Sequence, residues 1–118
     1  MGKIDHPFVV QLHGLFQDSH NVYMLLNCIE CGDLDDIKNQ HGGRINQDSV
    51  NFYAACVLEA LGHLHQFRIA HRDIKPGNIM IDKRGYAILV DFGLAKSMED
   101  GASFTFCGSP LYVSFCTK

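Results

Sequence analysis

Residues 71–78 read HRDIKPGN, a polar stretch that begins where an apolar segment ends near Ile69. Pro76 and Gly77 disfavour both helix and strand, so no regular element is predicted there. Residues 79–90 read IMIDKRGYAILV, which places two short apolar runs around a turn-forming tetrapeptide. This pattern predicts an antiparallel hairpin that starts directly after the polar stretch.

The hairpin predicts which polar residues come together at its open end. If its turn centres between Arg84 and Gly85, Asn78 faces Asp91 across the two strands. Asp73 lies on the preceding loop, five positions before Asn78. Two carboxylates and an amide oxygen would then converge, and hard oxygen ligands of this kind suit Mg²⁺. The hairpin therefore predicts a Mg²⁺ site at the point where Asp73, Asn78 and Asp91 converge.

Two helices and another hairpin are predicted upstream. Apolar residues spaced by three and four indicate a long helix from about Asn46 to Phe67, with Asn46 as its N-cap. A shorter helix is predicted over residues 33–40. Residues 8–28 hold two apolar runs around the polar turn QDSHN, which predicts a hairpin that is apolar on both faces. The fold class predicted is α+β, and residues 91–118 carry loop signals only.

Composition bounds the possible functions. The chain has 118 residues, 47% of them hydrophobic and 19% charged, which indicates a globular protein. Its formal net charge of −3 argues against nucleic acid as a partner. No apolar run is long enough for a membrane span. Five cysteines, an odd number, and the absence of a secretory start predict free thiols and a cytoplasmic location.

Several ordered motifs resemble one family. HRDIKPGN at 71–78 and DFG at 91–93 resemble the catalytic loop and the metal-binding triplet of eukaryotic serine/threonine protein kinases. Further stretches are similar to the cyclic-nucleotide-dependent (AGC) kinases, the cGMP-dependent branch most of all: RGYA at 84–87, VDFGLAK at 90–96 and TFCGSP at 105–110. The resemblance covers nearly the whole chain and implies a partial protein-kinase-like fold.

The resemblance also implies a division of the chain. Residues 1–26 would be the end of the N-lobe with two strands, residues 27–32 the hinge, and residues 33–118 the start of the C-lobe through the activation loop. No glycine-rich ATP loop, strand lysine or partner glutamate is present, and Ser114 opens SFC where the family has Ala-Pro-Glu. The expectation is a kinase domain truncated at both ends.

The family's roles transfer to matching residues. Asp73 would accept or orient the proton of the substrate hydroxyl, and Lys75 would neutralise the transferred phosphoryl group. Asn78 and Asp91 would hold Mg²⁺. Asn27, Cys28 and Ile29 would be the hinge that binds adenine, and Met80 would form the floor of the adenine pocket. Asp33 would contact the ribose or a basic substrate residue. Thr105 would be a phosphorylation site with Arg72 as its partner, and Ser109 would support Asp73 and Lys75.

Three functions follow as alternatives. The first is ATP-dependent phosphoryl transfer to serine or threonine hydroxyls of proteins. The second is a catalytically inactive kinase fragment that acts as a binding or regulatory module, or a non-functional gene product. The third is a small metal or redox protein built on Cys28 and Cys31. His63 and His65 near the motif are interpreted as helix-end and packing residues.

Overall fold

A computed structural model of the chain describes residues 4–98 and 108–112. The described elements follow in chain order: β1 (Leu12–Gln17), β2 (Val22–Leu26), α1 (Leu34–Gln40), α2 (Gln47–Gln66), β3 (Ile69–Ala70), a 3₁₀ turn (Pro76–Asn78), β4 (Ile79–Ile81), β5 (Ala87–Leu89) and β6 (Lys96–Ser97). Within these residues the strands form two-stranded antiparallel sheets, β1–β2, β3–β6 and β4–β5. The α+β class is confirmed.

Both predicted helices are confirmed, and side-chain caps set their first residues. The Asn46 side chain accepts a hydrogen bond from the Ser49 backbone N–H at 2.8 Å and thereby caps α2. Asp33 caps α1 through a reciprocal pair of bonds with Asp36. These caps satisfy N–H groups that a helix leaves unpaired at its start.

The core lies between α2 and the β4–β5 hairpin. Its fully buried members include Ala60, Leu64, Ala87 and Leu89, each at 0% exposure. Val9, from the segment before β1, joins this cluster and pairs with Leu89 in a parallel bridge. Helix α2 therefore packs against the hairpin and supports it, chiefly through β5.

The β4–β5 hairpin is confirmed, but the predicted register is wrong by one residue. Ile81 pairs with Ala87, and the Val90 N–H donates to the Asn78 carbonyl at 3.0 Å. The turn closes with a bond from Gly85 N–H to the Asp82 carbonyl, and Gly85 has a φ of +85°. A left-handed glycine after a tight turn makes a three-residue connection, whereas the prediction assumed a symmetric turn.

Two short elements contradict the prediction of loops only. Pro76 begins a 3₁₀ turn, because proline fits the first position of a helical turn, where its missing N–H is not needed. Beyond Asp91 the chain forms β6, which pairs with β3 through Ile69 and Ser97. Residues 71–78 and 91–93 are thus joined by a ladder just outside both.

The β1–β2 hairpin is confirmed, and it is exposed on both faces among the described residues. Leu15 faces Met24 across the ladder, and these side chains are 63% and 64% exposed. The other large apolar side chains of the hairpin are also at least 41% exposed. None of the helices in the described part of the chain is long and apolar enough to cross a membrane.

Candidate active site

Asp73 lies at the centre of a hydrogen-bonded cluster on the loop before β4. It is 8% exposed, and its Oδ2 accepts a bond from Asn78 Nδ2 at 2.9 Å. The same amide nitrogen donates to the Asp73 backbone carbonyl at 2.8 Å. The 3₁₀ turn at Pro76 brings the chain back so that Asn78 meets Asp73. The loop therefore holds the carboxylate at a fixed position.

Two further groups contact the carboxylate from the other side. Lys75 Nζ lies 2.9 Å from Asp73 Oδ2. Ser109 donates to Asp73 Oδ1 from both its hydroxyl, at 2.8 Å, and its backbone N–H, at 3.0 Å. Lys75 Nζ also donates to Ser109 Oγ at 2.9 Å. The three predicted residues thus form one contiguous group.

This environment favours the ionised carboxylate. The hydrogen bond from Lys75 is the main cause, with those from Ser109 and Asn78 adding to it, and together they lower the pKa of Asp73 to about 2. Asp73 is therefore fully ionised at neutral pH. It is an acceptor for a hydroxyl proton, but its low pKa makes it a weak base in the ground state.

His71 connects this cluster to the chain before Asp91. It is 2% exposed, its Nε2 donates to the Val90 carbonyl at 2.9 Å, and its Nδ1 accepts from the Asp73 N–H at 3.3 Å. The Phe92 ring lies edge-on, with ring centroids 4.8 Å apart. Burial lowers the pKa of His71, so the neutral tautomer that makes both bonds is favoured.

Asn78 and Asp91 are not opposite each other, because the register places Val90 there instead. Asp91 has a φ of +58° and is exposed, and its Oδ1 accepts from the Gly93 N–H at 3.1 Å. Asn78 commits its amide nitrogen to Asp73, which leaves Oδ1 as the amide's ligand atom. The described residues hold no cluster of three or more His, Cys, Asp or Glu side chains suited to a metal.

The predicted nucleotide-binding residues fall into two groups. Asn27, Cys28 and Ile29 line a cavity of about 330 Å³ that extends to the β4–β5 turn. Asp33 and Met80 do not line this cavity, and they pair with each other in an isolated antiparallel bridge. Within the described residues, the five predicted nucleotide-binding residues therefore do not line one common cavity.

Comparison with known proteins decides the family. The sequence model of one family, the protein kinase domain, matches residues 1–114. The chain belongs to the protein kinase family. Its resemblance to cyclic-nucleotide-dependent kinases is confirmed by relatives of that kind: it is 43% identical over 109 residues to human cGMP-dependent protein kinase 2, and 40% identical over 111 residues to cAMP-dependent protein kinase type 3 of Saccharomyces cerevisiae.

A kinase of another name is equally similar. The chain is 44% identical over 114 residues to Protein kinase 2 of Dictyostelium discoideum. The alignments cover 94%, 92% and 94% of this chain for the slime-mould, human and yeast proteins, but only 23%, 14% and 27% of those relatives. The chain thus spans about a quarter or less of the length of each of these relatives.

The regulatory prediction is only partly within the described residues. Arg72 has a φ of +68° and donates from Nε to the Leu94 carbonyl at 2.7 Å. This bond joins the loop at residues 71–78 to the segment after residues 91–93. Thr105, its predicted phosphorylated partner, lies outside the described residues. Their pairing stays a prediction.

Sequence reasoning missed two positioning residues. His71 and Phe92 lie within the two motifs, but the sequence pattern assigns neither of them a role. In the structure the histidine bonds the backbone on both sides and the phenylalanine packs against it. The available signal in the sequence is a histidine directly before two charged residues. Its burial became known only from the structure, and such burial is favourable only with specific partners.

Proposed function

We propose that this protein is a serine/threonine protein kinase, which transfers the γ-phosphoryl group of ATP to serine or threonine hydroxyls of proteins. The observation that carries the proposal is the carboxylate of Asp73, held by Lys75, Asn78 and Ser109 within 3.0 Å. A catalytic carboxylate has to be positioned to well under an ångström, and this arrangement supports that. Membership of the kinase family supports the reaction type.

In this proposal the substrate hydroxyl donates its hydrogen bond to Asp73. The hydroxyl oxygen bonds to the γ-phosphorus, the bond to the bridging oxygen breaks, and ADP leaves with that electron pair. The hydroxyl proton passes to Asp73. Because the carboxylate's pKa is about 2, proton transfer is favourable only late, when the oxygen has lost its electron density.

Lys75 supplies positive charge beside the transferred group. Its side chain is 31% exposed, and its ammonium group contacts Asp73. The attraction holds the lysine close to where negative charge spreads over the phosphoryl oxygens in the transition state. Fixed charges of this kind lower the barrier without reorganisation during the reaction.

The oxygen atoms of Asn78 and Asp91 fit Mg²⁺, because a carboxylate and an amide oxygen are hard ligands. Bound Mg²⁺ would neutralise phosphate charge during transfer. The bond from Asn78 Nδ2 to Asp73 orients the amide so that its oxygen is the remaining ligand. Asp91 is exposed and keeps one oxygen beyond the bond from Gly93.

ATP binding is proposed at the hinge. The backbone of Asn27, Cys28 and Ile29 would bind adenine, with Met80 as its floor and Asp33 at the ribose or at a basic substrate residue. Regulation is proposed through phosphorylation of Thr105, with Arg72 as the partner that phosphate prefers. The net charge of −3 favours proteins over nucleic acid as partners, and the free thiols favour a cytoplasmic location.

The test is incorporation of labelled γ-phosphate into serine and threonine peptides by the wild-type protein and by Asp73→Asn. The substitution keeps the shape but removes the charge, so the rate should fall by about 10²–10⁴-fold. Asp48→Asn, which changes an exposed carboxylate on α2, is the matched control and should retain the wild-type rate. Equal incorporation by the wild type and Asp73→Asn would contradict the proposal.

A further inference from the structure

Two histidines meet where the segment before β1 crosses α2. His6 comes from that segment and His63 from the last turns of the helix, with ring centroids 4.8 Å apart and an angle of 30° between the rings. Both line a cavity of about 250 Å³, and the other lining residues all belong to α2: Leu58, Glu59, Gly62 and Gln66. The ring pair is therefore a contact between the two parts of the chain.

The hydrogen bond made by His6 defines its protonation state. The Phe8 backbone N–H donates to His6 Nδ1 at 3.2 Å. Nδ1 must therefore carry a lone pair, and the neutral ring holds its proton on Nε2. A proton added to Nδ1 would place two donors against each other and break the bond to Phe8.

His63 has an unpaired ring nitrogen at this contact. Its Nε2 is fully shielded from solvent and, among the described residues, has no hydrogen-bond partner. A hydrogen on this nitrogen would be a buried donor without an acceptor, which is unfavourable in a protein interior. A positive charge on His6 would be only partly solvated, with the centroid of the His63 ring 4.8 Å away.

Few charges face this pair to offset the effect. Glu59 on α2 favours the charged form of His6, while the other rings in contact, Phe8 with His6 and Phe67 with His63, are uncharged. The balance nevertheless lowers the pKa of His6, with burial as the main cause and repulsion from His63 as the second. The described residues place no metal-binding cluster here.

The same segment is bonded to the strand that leads into the active site. The Leu89 N–H donates to the Phe8 carbonyl at 2.9 Å, and the Val10 N–H donates to the Leu89 carbonyl at 3.0 Å. Leu89 ends β5, two positions before Asp91. Residues 6–10 are therefore attached both to α2, through the histidine pair, and to β5.

We propose that the contact between His6 and His63 is a pH-sensitive latch, which holds residues 6–10 against α2 when His6 is neutral and releases them in mild acid. The sign follows from His6, whose folded-state pKa lies below the ordinary value of 6.5. Docking is then complete above pH 6.5 and weakens as the pH falls below 6.5. Each pKa unit of difference corresponds to about a tenfold change in the docking equilibrium.

The test is amide hydrogen exchange of Val10 and Leu89, whose N–H groups bond the segment to β5. Exchange is compared between about pH 7.5 and about pH 5.5, after correction for the intrinsic rate. Protection of Val10 and Leu89 should fall several-fold in acid. In His6→Asn the side-chain oxygen still accepts from the Phe8 N–H but does not titrate, so the pH dependence should disappear.

His65→Asn is the matched control, because His65 lies on the same helix but is exposed. It should show the wild-type pH dependence. His63→Phe keeps a ring against His6 but removes the electrostatic effect of His63 on it, and should weaken the dependence. The proposal is overturned if protection of the two amides in the wild type is unchanged in acid, or if His6→Asn loses as much protection as the wild type. It is also overturned if no amide in the segment is protected at about pH 7.5.

Discussion

Asp73 accepts hydrogen bonds on both of its carboxylate oxygens. Among the described residues, Ser109 bonds Oδ1 from its hydroxyl and its backbone, while Oδ2 is shared by Asn78 and Lys75. The two oxygens are therefore unequal, since Oδ2 contacts the charged Lys75 and Oδ1 contacts the uncharged Ser109. Substituting a donor at one carboxylate oxygen leaves the hydrogen bonds at the other oxygen in place. The contribution of each donor to the pKa of Asp73 can therefore be measured separately by substitution.

We expect Lys75→Met to raise the pKa of Asp73 from about 2 toward its ordinary value of 3.8, because the bond from Lys75 is the largest cause of the shift. A carboxylate with a lowered pKa stabilises the fold above 3.8 and loses that contribution as the pH falls from 3.8 toward 2. The measurement is the carboxyl ¹³C shift of Asp73 followed against pH.

Lys83→Met serves as the control for this titration. Lys83 is an exposed lysine on the β4–β5 turn, so its removal changes the net charge equally without touching Asp73. Its Asp73 titration should match the wild type. An identical midpoint in Lys75→Met would show that the ion pair does not set the pKa.

Ser109→Ala should slow phosphoryl transfer by about tenfold or more, since a hydrogen bond to a charged group contributes roughly 1.5–3 kcal/mol. The backbone N–H bond to Asp73 would remain, so the loss should be smaller than in Asp73→Asn. Steady-state peptide phosphorylation measures it. Ser109→Thr keeps a hydroxyl and should recover most of the rate, and a failure to do so would argue for a packing effect instead.

At the scale of elements, the sequence predicts best where a pattern repeats over several turns. Helix α2 spans twenty residues with an apolar stripe and a polar cap, and its predicted ends agree with the structure to within one residue. Helix α1 is short but has a capping box at Asp33. Asp73 and Asn78 were placed together because their spacing and the intervening proline restrict the loop.

The remaining elements depend on information that a local pattern lacks. Strands β3 and β6 have two residues each, too few for any alternation, and they pair only because the chain folds back on itself. The β4–β5 register depends on the left-handed conformation of Gly85, which one sequence does not reveal. The wrong register in turn placed Asp91 opposite Asn78.

Two leucines of α2 test which face supports the hairpin. Leu64 is 0% exposed and packs in the core, whereas Leu58 is 69% exposed. Leu64→Ala should lower the free energy of unfolding by about 2–5 kcal/mol, because it leaves a cavity. Leu58→Ala should change it by no more than about 0.5 kcal/mol. Urea unfolding measures both, and equal losses would contradict the packing described.

Two glycines should respond to alanine in opposite directions. Gly62 lies within α2, and a Cβ there meets no atom within 4 Å, so Gly62→Ala should stabilise the protein by about 0.5–1 kcal/mol. Gly85 also has open space but a φ of +85°, so Gly85→Ala should cost about 1 kcal/mol. The midpoints of thermal unfolding report both, and a destabilised Gly62→Ala would show that the helix is strained there.

At the scale of the whole molecule, the apolar surface is unevenly distributed. The buried cluster lies around α2 and the β4–β5 hairpin, while the β1–β2 hairpin carries large apolar side chains that are 41–64% exposed. Within the described residues, β1 and β2 pair only with each other, so each keeps an open edge. Open edges beside apolar side chains favour pairing between chains.

We therefore expect the chain to self-associate through this hairpin. Leu15→Lys combined with Met24→Glu places opposite charges across the ladder and should weaken association by about tenfold or more, because it removes two large apolar contacts. Sedimentation velocity measures it. Gln47→Lys with Asn51→Glu adds the same charges to an exposed pair on α2 and should leave association unchanged. Equal association of both variants would exclude the hairpin as the contact.

The β3–β6 ladder makes the segment from Ile69 to Ser97 a closed ring, because its two ends bond to each other. The entropy cost of closing such a ring is met once, and closure shortens the chain path between the residues inside it. Asp73, Asn78 and Asp91 all lie within the ring and should therefore gain and lose protection together as one folding unit. Ser109 lies outside the ring and is free to join later, so assembly of the group around Asp73 should proceed in two stages.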